Sequence, residues 1–591
     1  MLDQSGNPDL LPPADDHPKR TIFSKKNRDL DSGDMNQPLK DDIRTHLLTP
    51  SNPTEPDNSK NIAGTDIDGN VESLNESTEE KIEDVSEVSK PSGLTDEDIA
   101  LGMKPPLKTL LILSIGPFVS QLTQALFGLI DTMWIEKALG DKGVTEVSTY
   151  SNFDTIGRAF GFFLNVAAST KISALFGAGL GMQAPQLISD LLRVAFLFSL
   201  FVPAVLIPIL KPAAYWFGAN KEIVDEGFEY ILPVIACAFI PIIYLTFCGT
   251  LLAEGRTLIF ALLQTITLIL NVLLFDPLFL LVFKWGMLGN ALATIFAEGI
   301  PMVVITTLYY CGKFSVKPKF GDLFKRFSPH AIPALKVGFS QLFYQLSLAV
   351  PGIVLRKFLG LSSTEETFVD IVAGFNAQIR FYQIVLMVTA AVTMGFLPCA
   401  SYAVGATRYK RVLALLKHVC WISFGWSIIT MIFTVGIPAQ ISKMFSSSPT
   451  YLVYATQFVR NSNVVAFLIP VALIIQALLQ SLQLGTQATI ISIGTQLFPL
   501  PVFSAVLYFT DKHNPGRLLY AYPIQQALGV LISLPLGIKP MIHIIKNAKI
   551  EKEYVDTSGR IVVEHDQNAS SEAITEPLNQ ELEDINKVTE V

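Results

Sequence analysis

Cysteine, histidine and charge are all scarce in this chain, and each scarcity removes a class of function. The five cysteines, Cys237, Cys248, Cys311, Cys399 and Cys420, lie in or beside apolar stretches without a C-x-x-C pair. They read as small buried hydrophobes, and neither a disulfide frame nor a zinc site is implied. The seven histidines avoid the middles of the apolar stretches, which leaves carboxylates as candidate carriers of an intramembrane proton. No nucleophile or His-Asp constellation falls within those stretches, so neither an enzyme nor a bound cofactor is expected. A seven-helix receptor with a disulfide has as little support. What the chain has instead is apolar bulk: 50% of its 591 residues are hydrophobic and only 16% charged, with a mean hydropathy of +0.42. That composition marks a polytopic membrane protein, with the lipid bilayer as its first partner.

The net charge of −8 comes from the ends. Residues 1–106 hold 23 acidic against 11 basic side chains and residues 547–591 hold 11 against 4, which leaves 29 basic and 18 acidic in between. The acidic balance therefore reports two tails, and no nucleic-acid partner is expected. Both tails are poor in apolar runs, so residues 1–106 and 547–591 are expected to be disordered. The charged start has no apolar h-region, so no secretory signal peptide is expected there. Glycosylation sequons at Asn75 and Asn568 would matter only if the tails faced a lumen.

Twelve apolar segments fill the core, at about residues 107–134, 147–176, 187–210, 228–252, 258–283, 286–311, 331–359, 368–404, 411–436, 451–479, 485–509 and 518–545. The longest internal break, near 312–330, divides them six and six. The expected fold is thus an all-α membrane protein of twelve transmembrane helices in two six-helix bundles, an N-lobe at 107–311 and a C-lobe at 331–546. The halves echo one another: Gly177-Ala178 answers Gly405-Ala406, Ser120-Gln-Leu answers Tyr344-Gln-Leu, and Leu139-Gly140 answers Leu359-Gly360. An even number of spans per half makes such repeats parallel, with a cavity between the bundles suited to alternating access. Both tails then share one side, and the flanking Lys104, Lys108, Lys546, Lys549 and Lys552 place that side in the cytosol. The membrane itself is the plasma membrane or an endomembrane.

The first segment carries a polar stripe, with Pro117, Gln121, Gln124, Gly128 and Asp131 at offsets of four, three, four and three on one helix face. Asp131 either ends the helix at headgroup level or faces an internal pocket, where loss of water disfavours its anion and lets it load and release a proton. A second group comprises Asp276-Pro277 in the fifth segment and Asn290, Thr294 and Glu298 at i, i+4, i+8 in the sixth. These oxygens could relay a proton or hold a hard cation, with sodium possible at Asp276 and Thr294, or merely bond helices together. The second half differs. Its seventh segment repeats the polar face with Gln341, Gln345 and Gly352, but the ionisable residue near the matching depth is Arg356, so an acid-driven site is expected in the N-terminal half alone. Asn376, Arg380 and Gln383 share a face of the eighth segment, and Gln476, Gln480, Gln483 and Gln487 follow a helical spacing in the tenth. Such a neutral wall can line a solute cavity or simply pack. Two charged clusters read as mainly structural: Asp154 and Arg158 as a self-neutralising i, i+4 pair, and Lys171, Asp190 and Arg193 near helix ends, where long basic side chains reach the interface.

At Gly116-Pro-Phe-Val-Ser-Gln-Leu, Ala125-Leu-Phe-Gly-Leu-Ile-Asp-Thr-Met-Trp-Ile and Leu139-Gly-Asp the chain resembles the opening of the multidrug and toxic compound extrusion (MATE) transporters. Ala253-Glu-Gly-Arg-Thr, Asn271 through Asp276-Pro-Leu-Phe, Gly286-Met-Leu-Gly-Asn-Ala-Leu-Ala-Thr and Gly405-Ala-Thr-Arg-Tyr resemble its later motifs, so the likeness spans roughly 107–545. The resemblance implies two six-helix lobes in a V and cation-driven antiport of organic, often cationic, compounds. It also implies coupling residues at Asp131, Asn271, Asp276 and Thr294. One departure stands out. The family usually spaces its Asn and Asp by four; here they are five apart, which rotates Asn271 off the face by about 100° unless a bulge absorbs it.

The expected function is export of an amphipathic solute in exchange for protons or sodium. Asp131, Asn271, Asp276, Thr294 and Glu298 would couple the ion, and Gln121, Gln124, Gln341, Gln345, Asn376, Arg380, Gln476 and Gln480 would line the solute cavity of a monomer. The alternative is a flippase of lipid-linked saccharides, for which Arg356 and Arg380 are the candidate pyrophosphate ligands.

Overall fold

The computed structural model describes residues 95–216, 220–364, 366–446, 448–555 and 561–565. Its membrane-crossing elements are α1 (Pro106–Gly140), α2 (Lys142–Gly177), α3 (Gly181–Trp216), α4 (Lys221–Ala236 with Phe239–Ala253), α5 (Thr257–Val282), α6 (Gly286–Tyr310), α7 (Ala331–Leu361), α8 (Phe368–Gly405), α9 (Tyr409–Gly436), α10 (Pro449–Ser481), α11 (Gly485–Thr510) and α12 (Pro515–Ile550). Helix is the form these apolar runs take because lipid offers the backbone no hydrogen-bond partner. The spans form two six-helix bundles in a V. The fourth span is bent by 46° at Cys237–Ala238 rather than being one straight helix, and several helices outrun the apolar segments that mark them. Between α1 and α2 the chain reverses with little loop. Gly140 makes this possible at φ 71° and ψ −170°, a backbone conformation closed to a side chain.

Much of the contact between bundles lies toward the end where the tails emerge. There α2 crosses α8 with Gly177 set against the Tyr402 carbonyl and, in return, Gly405 against the Ala174 carbonyl. A Cβ at either glycine would meet backbone, so this reciprocal crossing needs both. Phe163 of α2 also meets Phe339 of α7 edge-on, with centroids 5.0 Å apart. At the opposite end, Lys357 of α7 donates to the Trp216 carbonyl of α3 at 3.2 Å.

Three expectations are corrected here. Order begins before residue 107: a helical turn at Asp98–Met103 buries Leu101 completely, and Arg411 donates to its carbonyl at 2.8 Å. Order also continues past residue 546, through the end of α12 into an antiparallel pair, β1 (Glu551–Val555) and β2 (Ile561–His565). Lys410 ties β1 down, its backbone N–H reaching the Glu551 carboxylate at 2.8 Å and its Nζ the Glu551 carbonyl at 2.7 Å. Local composition missed both because the stabilising partners lie on distant helices. Among the cysteines only Cys248 and Cys399 are fully buried, whereas Cys311, at the turn after α6, is exposed. The sequons at Asn75 and Asn568 lie outside the described residues.

Candidate functional site

The candidate site is built on a break in the helical register of α5. Proline at 277 has no N–H and crowds the carbonyl one turn back, so the helix widens ahead of it over Leu270–Phe275. The Asp276 N–H bonds to the Asn271 carbonyl, five residues back instead of four. In this i+5 register residues five apart share a face. Asn271 and Asp276 therefore meet despite their spacing, with Asn271 Nδ2 donating to Asp276 Oδ1 at 3.1 Å. The bulge absorbs the rotation that the spacing implies, and both side chains are fully buried.

The same break strands a carbonyl. Val272 O would ordinarily accept from the Asp276 N–H, now diverted, and in the wider register it would face Pro277, which has none to give. Trp134 Nε1 of α1 fills the gap at 3.1 Å. Trp134 stands three residues beyond Asp131, so the bond fastens the Asp131 end of α1 to the bulge of α5. Asp131 is itself buried, at 7% exposure, and not solvated at a helix end. It lies against the Asn290 amide of α6 and close enough to Asp276 for their charges to interact. Buried within this group and without a hydrogen-bond partner are Asp131 Oδ1, Asp276 Oδ2, Asn271 Oδ1 and both polar atoms of Asn290. Tyr230 of α4 stands within charge range of Asp131 and Asp276 and had no signal in the sequence; a lone Tyr in an apolar run is usually packing.

Glu298 plays a different part. Arg158 of α2 binds Asp154 at 2.8 Å and Glu298 of α6 through a second ion pair. The pair read from the sequence as self-contained is thus a three-member bridge between α2 and α6, and Glu298 is a clamped counter-ion within it. The i, i+4 spacing gave away Asp154 but could not reveal a partner 140 residues on. Thr294 lines a small cleft with Asp154, Arg158 and Glu298.

The expected solute-cavity residues differ in burial. On α1, Gln124 is exposed, Gln121 half-buried and Pro117 buried, so the stripe has no uniform environment. Gln341 and Gln345 are buried in α7. Of the two readings of the α10 glutamines, packing is the one seen in the bonds: Gln476 accepts from Gln496 of α11 at 3.1 Å and Gln480 donates to Ser340 of α7 at 2.7 Å. Asn376 and Arg380 are exposed on α8, and the Arg380 guanidinium lies 5.6 Å from the centre of the Phe445 ring. Asp190 has a structural part: it is fully buried and accepts the Ser328 N–H at 2.7 Å, which fixes the segment between α6 and α7.

A family model described as MatE matches the chain at residues 118–275 and 367–503, one stretch in each half. The chain is 20% identical over 410 residues to the multidrug export protein MepA of Staphylococcus haemolyticus (strain JCSC1435), covering 66% of this chain and 86% of that protein. It is 21% identical over 366 residues to the FAD transporter of Shewanella oneidensis, covering 60% of this chain and 77% of that one. Among solved structures, MATE in complex with MaL6 overlays with a TM-score of 0.68 at 19% identity, covering 77% of this chain and 100% of the other. The outward-facing conformation of a multidrug resistance MATE family transporter gives the same TM-score and identity over 77% and 99%. At this identity the two structures speak for the fold alone.

Proposed function

This chain belongs to the MatE family of transporters, and from that premise we propose that it exports an amphipathic organic solute in exchange for protons bound at Asp131 and Asp276. The observation that carries this reading is the buried cluster of Asp131, Asn271, Asp276 and Asn290, whose unpartnered oxygens lie among three helices of one lobe. A carboxyl removed from water binds a proton readily, and the charge change on binding biases any helix rearrangement around it. Sodium is the second ion such oxygens could hold, with Asn271 and Asp276 as the nearest pair. The chain is an integral membrane protein; we place its tails in the cytosol on the strength of the flanking lysines. The flippase alternative would rest on Arg356 and Arg380, of which Arg380 lies over the Phe445 ring.

The test is ethidium efflux from proteoliposomes under an imposed pH gradient, with a sodium gradient as the second arm. Asp131→Asn should lose most of the pH-driven component. Unchanged pH-driven efflux by that variant would remove Asp131 from the mechanism, and efflux answering only to sodium would replace the proton.

A further inference from the structure

The segment between α6 and α7 is not a slack connection. Phe314, Val316 and Pro318 are buried in alternation with exposed Lys313, Ser315, Lys317 and Lys319, so one side of the segment lies on the protein. Val316 N–H binds Glu254 at 2.9 Å, Arg193 donates to the Lys325 carbonyl at 2.7 Å, and Asp190 holds Ser328. What this fixed belt turns outward is unusual: Lys313, Lys317, Lys319, Lys325 and Arg326 together with Phe320 and Phe324, the last 92% exposed. Its one acid, Asp322, is spent on Lys325 at 2.6 Å and on capping its own turn. The Phe320 ring lies flat on Tyr310, the last residue of α6, at 4.2 Å. Phe320 therefore sits at the depth where a membrane span ends.

We propose that the belt at 313–327 is a docking surface for anionic phospholipid, its basic side chains on the headgroups and the Phe320 and Phe324 rings in the leaflet. Bases alternating with exposed phenyl rings at the end of two spans match an anionic lipid surface on both counts, charge and apolar contact. Water or a neutral polar surface would satisfy the lysines but not the rings. Each Lys or Arg near an anionic leaflet strengthens the attraction of the segment to it roughly fivefold. The surface lies on the side that carries the tails; that this side is cytosolic belongs to the reading above, but the binding itself does not depend on it.

The experiment places Trp at the tip of the belt. Full-length Phe324→Trp is reconstituted in phosphatidylcholine vesicles, of equal composition in both leaflets, containing a minor fraction of either brominated phosphatidylserine or brominated phosphatidylcholine. Quenching in excess of the parent chain reports lipid at that ring. Both lipids should quench, the serine lipid at least about twofold more strongly. Changing Lys313, Lys317, Lys319, Lys325 and Arg326 to Gln in the same chain should bring the two lipids level without losing the quenching by phosphatidylcholine. Equal quenching with the basic belt intact would overturn the proposal. So would absence of quenching by either lipid, which would put the ring in water or under protein. Neither result bears on proton coupling at Asp131, so the two readings fail separately.

Discussion

The fifth span of the first lobe and the fifth span of the second break in the same way and carry different chemistry. In α5 the Asp276 N–H reaches the Asn271 carbonyl ahead of Pro277; in α11 the Phe498 N–H reaches the Ile493 carbonyl at 3.3 Å ahead of Pro499. The break recurs at one interval and is therefore a property of the architecture. Only the first lobe places an acid and an amide across it. In the second lobe Phe498 is 59% exposed, and the buried polar residues of the turn are Ser492, Thr495 and Gln496, the last bonded to Gln476. The contrast extends to the first spans. Asp131 is buried in α1, whereas in α7 Leu355 is buried and its neighbour Arg356 is exposed. The widened turn thus supplies a place for a polar pair, and the residues within it decide whether such a pair forms.

Changing the buried polar side chain at each bulge should separate the two lobes most clearly. Asp276→Asn should lower pH-driven ethidium efflux by about 100-fold, the upper end of typical coupling energies, while Gln496→Leu leaves it near the parent rate. A comparable loss from both would make the two bulges equivalent and dissolve the asymmetry. The next effect concerns stability. Glu298→Gln removes one of the two acids on Arg158 and should cost about 2 kcal/mol in thermal unfolding, less than full stranding of a buried charge because Asp154 still pairs. Asp276→Asn should move the midpoint much less. If the two variants destabilise alike, Glu298 is not the structural member of the set.

The smallest expected effect lies at the turn between α4 and α5, outside the membrane spans. Burial raises the Glu254 carboxyl to about 7, partly offset by the Val316 N–H and by Arg256. The folded chain then holds a proton that the unfolded chain has released, so stability contributed by this group is full below about 4.5 and is lost as pH rises toward about 7. Glu254→Gln keeps an acceptor for Val316 and should flatten the unfolding midpoint across that window. An unchanged slope would mean that Glu254 does not titrate there.

Much of this was legible in the sequence, for reasons that also explain the failures. The spans announce themselves by length and hydropathy, and acids within them are conspicuous because lipid makes them costly. Asp131, Asn271, Asp276 and Asn290 could be named, but their meeting could not be derived: five residues between Asn and Asp argue against contact until the i+5 register is known. The proline that forces the break was in view, yet whether a helix answers a proline by kinking or by widening depends on what can take the freed carbonyl, here Trp134 from another helix. The same limit hid the bridge from Arg158 to Glu298 and the bracing of Gln476 and Gln480, since spacing within one helix says nothing of the helix beside it. The ordered turn at Asp98–Met103 and the belt at 313–327 are held by side chains from distant spans, so local composition reads both as loose chain.

Proton exchange by Asp131 and Asp276 inside the first lobe can be read by infrared difference spectroscopy of the full-length protein in lipid, without any choice of solute. Acidification should raise a carboxylic acid band in the parent chain that is diminished in Asp131→Asn and in Asp276→Asn and unaltered in Glu298→Gln. A pH-dependent band as strong in both aspartate variants as in the parent chain would mean that neither carboxyl exchanges the proton.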